Sequence, residues 1–471
     1  MSRPNVVLML IDDMGWRDLT CYGSRFYETP RIDTVASQGV RFTNAYAACP
    51  VCSPTRASIL TGKYPARLGL TDWIDAPGTT HPARGRLIDA PYIKELPDGE
   101  HTLAHAFAAA GYATWHVGKW HLGGAGALPT DRGFEVNVGG CERGYPGPGG
   151  YFSPWTIPAL EDADVPPGTM LTDYLTSRAI ELIERRGDRP FFLNLWYYAV
   201  HTPIEAAPEK VARYADKAKR LGLDRLAPFE EGEPFPTEHK AHLRVQRRVL
   251  QSDPVYAGLV EHLDENVGRL MDALEREGLA EETIVVFISD NGGLATAEGS
   301  PTCNAPLAEG KGWMYEGGTR EPFFVRWPGA IARGMLSPVV TTTTDLYPTL
   351  LDLAGLPAIP EQHRDGVSLA PVLRGETTEL PREAVFWHYP HYGNQGGTPG
   401  CSMRAGDYKL IEFFEDGRLE LYNLAEDEGE RHNLAQERPE LARALHERLV
   451  AWRNGLEARL PEANPTLPNP M

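Results

Sequence analysis

The stretch NVVLMLIDD (residues 5–13) is apolar at every position from Val6 to Ile11 and then ends in two aspartates. A strand with one wet face alternates polar and apolar residues, whereas an unbroken apolar run bounded by polar groups fits a strand covered on both faces, as in a parallel sheet between helices. Three further runs share this character: ATWHVG (113–118), PFFLNLWYYAVH (190–201) and TIVVFISDN (283–291). Helical patterns separate them. The clearest is Pro254 to Glu277, with Asp253 placed to cap it, Gly278 beyond its end, and Val255, Leu259, Leu263, Val267, Leu270 and Leu274 as a core-facing stripe. Its carboxylates are assigned to a solvated face. This alternation predicts an α/β fold with a mostly parallel central sheet flanked by helices.

After DGVSLAPVLRGE (365–376) the pattern changes to short strands, AVFWHY (384–389), YKLIEFF (408–414) and RLELYNL (418–424), followed by a helix from about Pro439 to Leu460. The EDG between the last two strands is a hairpin signal. The division expected is an α/β domain over 1–372 and a small C-terminal α+β subdomain over 373–471, an antiparallel sheet with one covering helix. Two Pro/Gly-rich stretches, 75–99 and 123–154, and a charged helical segment over 205–250 interrupt the larger domain. Such excursions from a rigid scaffold usually rim a binding site.

The chain of 471 residues carries a formal net charge of -18, which favours solubility and opposes attraction to nucleic acid. Its longest apolar runs fall far short of the ~20 residues that span a bilayer, so no membrane partner is expected. MSRPNVVLMLIDD leaves no room for a leader before the first strand, so the expected location is cytoplasmic as the chain stands, or periplasmic if a leader has been removed. Six scattered cysteines (Cys21, Cys49, Cys52, Cys141, Cys303, Cys401) are unlike a disulfide framework.

In open α/β sheets, ligands gather beyond the carboxyl ends of the strands. Two runs deliver acids there: Asp12 and Asp13 after the first, Asp290 and Asn291 after the last. Either pair alone would equally suit a solvated strand end. Together, three carboxylates repel by several kcal/mol at ~4 Å unless a cation lies between them, and an all-oxygen ligand set points to Ca2+ or Mg2+ rather than zinc. A second feature is AYAACPVCSPTRASILTG (45–62). Cys49 and Cys52 form a C-x-x-C, which admits redox or metal chemistry. Alternatively, a helix begins at Ser53-Pro54 and stops at Gly62. That places Cys52 at its N-terminus, where free amides favour an anion, with Arg56 one turn further on.

CSPTRASILTG resembles the signature of the type I sulfatases, C-x-P-x-R followed by Thr-Gly, within the alkaline phosphatase superfamily. LIDDMGWRDLTCYG, YETPRID, GKWHLG, AVHTP, ISDNGG, GKGWMYEGGTREPF, RWPG, DYKLI and LYNLAEDEGERHNLA resemble sulfatase segments in the expected order. The resemblance, which extends to bacterial arylsulfatases and carbohydrate sulfatases, implies an alkaline-phosphatase-like sandwich and hydrolysis of sulfate monoesters. It pairs Cys52 with Arg56. Cys52 would be oxidised to formylglycine by a formylglycine-generating enzyme, its hydrated diol becoming transiently sulfated. Ca2+, with Mg2+ or Mn2+ as alternatives, would be held by Asp12, Asp13, Asp290, Asn291 and an oxygen of modified Cys52. Arg56 would steady the diol and the carboxylates, Lys119 and Lys311 would contact sulfate, His121 would take a diol proton, and His201 would stand at the leaving oxygen. FWHYPHYGNQGGTPG (386–400) suggests His388 and His391 as contacts to a sulfated sugar. The alternatives are a phosphonate monoester or phosphodiester hydrolase of the same superfamily, and a non-catalytic sulfated-glycan binding protein with an unmodified thiol.

Overall fold

The computed structural model describes residues 3–75, 81–161 and 163–467; residues 76–80 of the first Pro/Gly-rich stretch lie outside the described residues. The opening run forms β1 (Asn5–Ile11), buried along its whole length. It lies within a sheet with β2 (Val40–Tyr46), β3 (Ala113–Gly118), β4 (Val136–Val138), β5 (Phe191–Trp196), β6 (Thr283–Ser289), β7 (Arg320–Arg326), β8 (Met335–Ser337) and β9 (Thr341–Thr342). The order is β8-β2-β7-β6-β1-β5-β3-β4, with β9 beside the far end of β2. Pairings are parallel except those of β7, which runs antiparallel to both β6 and β2. The reason is the path of the chain: it leaves β6 at the aspartate edge, stays there through 290–319, and re-enters the sheet from that edge.

Alternate residues of β1 feed two cores, as an apolar run without polar alternation requires. Val7, Met9 and Ile11 face α1 (Pro30–Ser37), α4 (Leu171–Glu184), α5 (Pro208–Arg220) and α6 (Pro254–Arg276); Val6, Leu8 and Leu10 face α2 (Cys52–Thr61), α3 (Leu103–Ala109) and α7 (Leu346–Leu353). α6 begins as expected, with Asp253 accepting from the amides of Val255 and Tyr256. Its carboxylates do not all face solvent. Asp264 is buried and accepts from the amides of Arg31 (3.2 Å) and Ile32 (2.7 Å), because α1 and α5 cover the outer side of α6. The segment 205–250 holds an α-helix only at its start, with short 3-10 turns at Leu223–Arg225 and Glu238–Lys240; Phe229–Pro234 and Arg244–Arg248 pair as an antiparallel hairpin.

The C-terminal part is a meander of β10 (Val385–Tyr389), β11 (Gly400–Ala405), β12 (Tyr408–Phe413) and β13 (Leu419–Asn423), antiparallel throughout. The sequence showed three of these strands; β11 escaped because its inward residues are interleaved with buried Ser402 and Arg404. Helix α8 (Pro439–Gly455) covers one face through Ala442, Leu445 and Leu449, while Trp387, Ile411 and Phe413 on the other pack near Tyr46 and Met314. Among the described residues no helix is long and apolar enough to cross a membrane.

Candidate active site

Hydrogen bonding continues past the strands and draws their ends together. The Asp12 amide donates to Ala199 O (3.0 Å), Val200 N to Asp12 O (2.8 Å), and Asp290 N to Ile11 O (3.0 Å). Asp13, in the left-handed region at φ 63, turns its amide onto Asp290 Oδ1 (3.2 Å), and Asn291 Nδ2 donates to Asp13 Oδ1 (2.8 Å). The four residues expected as metal ligands therefore meet at one edge. Cys52 opens α2, as expected from the helix signal, and donor atoms of Asp12, Asp13, Cys52 and His201 lie within 4.8 Å of one another.

Three buried cations face these acids. Arg56 forks onto Asp290 Oδ2 through Nε (2.9 Å) and Nη2 (2.7 Å), reaches Asp12 Oδ1 at 3.6 Å, donates to Lys119 O (3.0 Å) and lies 5.3 Å from the Trp196 ring centre. Lys119 donates from Nζ to both oxygens of Asp12 (2.9 and 2.7 Å), and Lys311 to Asp13 (2.8 Å). The chain thus supplies its own counter-charges, so repulsion among the three carboxylates does not by itself require a cation. Arg56, Lys119 and Lys311 balance Asp12, Asp13 and Asp290, so a divalent ion would leave the site net positive, the sign that an anionic ester requires. The residues fit such an ion: the donors are hard oxygens, and Asn291 Oδ1 is buried with no hydrogen-bond partner among the described residues.

The two histidines are held in defined tautomers. His121 Nε2 lies 2.8 Å from Ile74 O, so it carries the proton and Nδ1 is left as a buried acceptor with no partner among the described residues. His201 Nδ1 lies 2.6 Å from Thr202 O, leaving Nε2 to accept from Lys311 Nζ at 3.2 Å. Burial, then Lys311, brings His201 down to about 4, and burial followed by Lys119 holds His121 well below the usual histidine range. Burial opposes charge on Asp13, but the Lys311 ammonium beside it keeps it ionised. Burial also raises the Cys52 thiol to about 11 against the pull of Lys119 and Lys311, so an unmodified Cys52 is not a ready thiolate.

Cys49 is no partner for Cys52. Both thiols are free, and Cys49 Sγ instead approaches Thr71 O at 3.9 Å. His388 and His391 are not brought into the cluster: His388 Nε2 bonds Arg459 O (2.8 Å), and fully buried His391 bonds Thr71 Oγ1 through Nε2 (2.8 Å). Gly144 carries no signal of its own, yet a Cβ there would stand 2.3 Å from His121 Cε1. Its only sequence trace is membership of the second Pro/Gly-rich stretch.

The family model Sulfatase matches residues 4–356, and that of N-sulphoglucosamine sulphohydrolase, C-terminal, matches 309–455. The chain is 31% identical to a sulfatase of Formosa agariphila over 96% of its own length and 89% of the relative's. It is 33% identical to human arylsulfatase A, over 94% and 86%. Among solved structures, Ps i-CgsB in complex with k-i-k-neocarrahexaose superposes with a TM-score of 0.76 at 25% identity, covering 96% of this chain and 93% of that one.

Proposed function

The chain belongs to the sulfatase family of sulfuric ester hydrolases, and from that premise we propose that it desulfates a carbohydrate sulfate ester at the helix tip bearing residue 52. One observation carries the reading: buried Lys119, Lys311 and Arg56 surround Cys52 where the first turn of α2 presents free amides. Asp12, Asp13, Asp290 and Asn291 would hold Ca2+, which supplies Lewis-acid polarisation of the sulfuryl oxygens. Once oxidised by a formylglycine-generating enzyme and hydrated, residue 52 supplies two geminal hydroxyls, one to attack sulfur and one through which sulfate is expelled.

The chain's own groups do the rest. Lys119 and Lys311, whose ammonium groups now rest on Asp12 and Asp13, neutralise the ester's oxygens in a site closed to water, usually the largest catalytic contribution. His121 accepts a proton at Nδ1, its free position. Lys311 holds a proton beside His201 Nε2 and delivers it towards the leaving oxygen, a role worth ~10²–10⁴-fold. Arg56 keeps the carboxylates in register through its fork.

Carbohydrate is favoured by a cavity of about 480 Å³ walled by Phe229, Phe235, Lys240, Arg244 and Glu298. Phe235 and Val245 pack against Trp313, two residues from Lys311. Aromatic faces with cationic rims suit sulfated sugar rings. The saccharide bound by Ps i-CgsB points the same way.

The test combines the mass of the tryptic peptide bearing residue 52 with turnover of an aryl sulfate and a panel of sulfated monosaccharides. Expected are the mass loss for exchange of CH2–SH by CHO, sulfate release, and no turnover in Cys52→Ala. An intact thiol that binds sulfated sugars without turnover would establish the binding-protein alternative. Faster cleavage of an aryl phosphonate than of any sulfate would establish the other.

A further inference from the structure

Another set of metal-type donors converges outside the carboxylate cluster, on the segment just after α2 and the loop following β10. Asp72 is fully buried. Its Oδ1 accepts from Trp73 N (2.8 Å) and Tyr389 OH (3.0 Å), but Oδ2 has no hydrogen-bond partner among the described residues. That oxygen faces His81 Nε2 at 3.8 Å and His391 Nδ1 at 3.9 Å, separations too long for hydrogen bonds. His391 Nδ1 is likewise buried without a partner. An orphaned carboxylate oxygen costs about 1–3 kcal/mol or more, so two such atoms facing each other, Asp72 Oδ2 and His391 Nδ1, with His81 Nε2 beside them, call for something between them.

We propose that Asp72, His81 and His391 form a second metal centre, for a zinc-class divalent ion, with Asp89 orienting His81. The donor set is two imidazole nitrogens and one carboxylate oxygen, which suits zinc and leaves a fourth position for water. With bonds of about 2.0–2.1 Å in a tetrahedral centre, His81 Nε2 and His391 Nδ1 must each close on Asp72 Oδ2 by about half an ångström from 3.8 and 3.9 Å. One outer contact has the form that metal-bound histidines adopt: His391 turns Nε2 to Thr71 Oγ1 (2.8 Å). His81 Nδ1 faces Asp89 Oδ2 at 3.4 Å without a hydrogen bond between them, that oxygen being fixed by Ala83 N (2.8 Å). Linear motifs could not show the site, because its donors come from separate segments. Its position gives it a purpose: Ile74, two residues from Asp72, bonds His121 through its carbonyl and Ser53 Oγ through its amide (3.0 Å). The ion would brace the segment that orients His121.

Elemental analysis of the purified full chain, exposed to zinc and then dialysed, tests this. About one equivalent of zinc is expected, retained at least ~10-fold more weakly by His81→Ala and Asp72→Asn, with calcium content unchanged. Cobalt substitution in the wild type should give the visible bands of a tetrahedral N/O site, a readout that needs no variant to fold. Absence of retained zinc and of those bands in the wild type overturns the proposal, as does equal retention by both variants. None of these outcomes depends on sulfatase turnover or on residue 52, so failure of this centre and failure of the proposed function are separable.

Discussion

Gly144 decides where the His121 ring can stand. Alanine there would place a Cβ 2.3 Å from Cε1 and 2.6 Å from Nε2 of that ring, driving it off the Ile74 carbonyl that sets its tautomer. Displacing a catalytic group by ~1 Å can cost ~10²-fold in rate. Gly144→Ala should therefore lower kcat by about that factor while the thermal midpoint moves little, which steady-state kinetics and a melting curve will check. At this scale legibility was uneven. Asp12, Asp13, Asp290 and Asn291 could be singled out because each pair ends an apolar run. Lys119, His121 and Lys311 lie among glycines and aromatics with no periodic pattern, so only the resemblance marked them. The carbonyls of Ile74 and Thr202 had no signal at all, since a backbone oxygen is common to every residue type. His388 and His391 were chosen from glycine-rich surroundings; both are buried, bonded to Arg459 O and Thr71 Oγ1 respectively.

Helix α2 is the element on which the site turns, and both its ends matter. The N-terminus presents Cys52; the C-terminus must stop so that the chain can turn beneath α7. Gly62 provides the stop at φ 67, donating its amide to Ser58 O (2.9 Å), and an added Cβ would lie 2.4 Å from His363 Cβ. Left-handed backbone and collision act together, so Gly62→Ala should cost about 1–3 kcal/mol. Urea unfolding should show a lower midpoint with an unchanged m-value, and activity per folded molecule should persist. The Thr-Gly pair made this end legible, just as unbroken apolar runs made β1, β3, β5 and β6 legible. The direction of β7 was not, because it follows from where the chain re-enters the sheet rather than from Phe323, Phe324 or Val325. The hairpin within 205–250 was hidden for another reason: FEEGEP is mostly exposed, and its charges mimic a solvated helix.

The two sheets are joined through buried charge. Lys409 on β12 donates to Glu316 Oε1 (3.0 Å) and pairs with Glu430 (3.0 Å), while Tyr46 of the large sheet donates to Glu316 Oε2 (2.7 Å). His388 lies on the other face of the small sheet, bonded to Arg459 O (2.8 Å) and beside Phe414, and titrates in a useful range. Burial lowers it to about 4, so it is neutral in the fold and takes up a proton on unfolding at pH below its ordinary value of about 6.5. Its contribution is complete above that value and is lost as pH falls through about 4, a loss of about 2–3 kcal/mol by pH ~4.5. His116, brought by burial to about 3, and His201 act in the same direction. Asp18 and Asp264, raised by burial to about 6, act in the opposite one: protonated in the fold, they contribute more as pH drops. The whole-molecule curve is a difference between these groups, so one substitution must isolate the histidine. His388→Gln can still donate to the Arg459 carbonyl but carries no titrating proton. Relative to wild type, the variant should gain about 2–3 kcal/mol between pH 7 and ~4.5 in urea unfolding. A gap between the two proteins that stays constant over that range would mean that native His388 takes up its proton over the same pH range as the unfolded chain, and that acid weakens the molecule elsewhere.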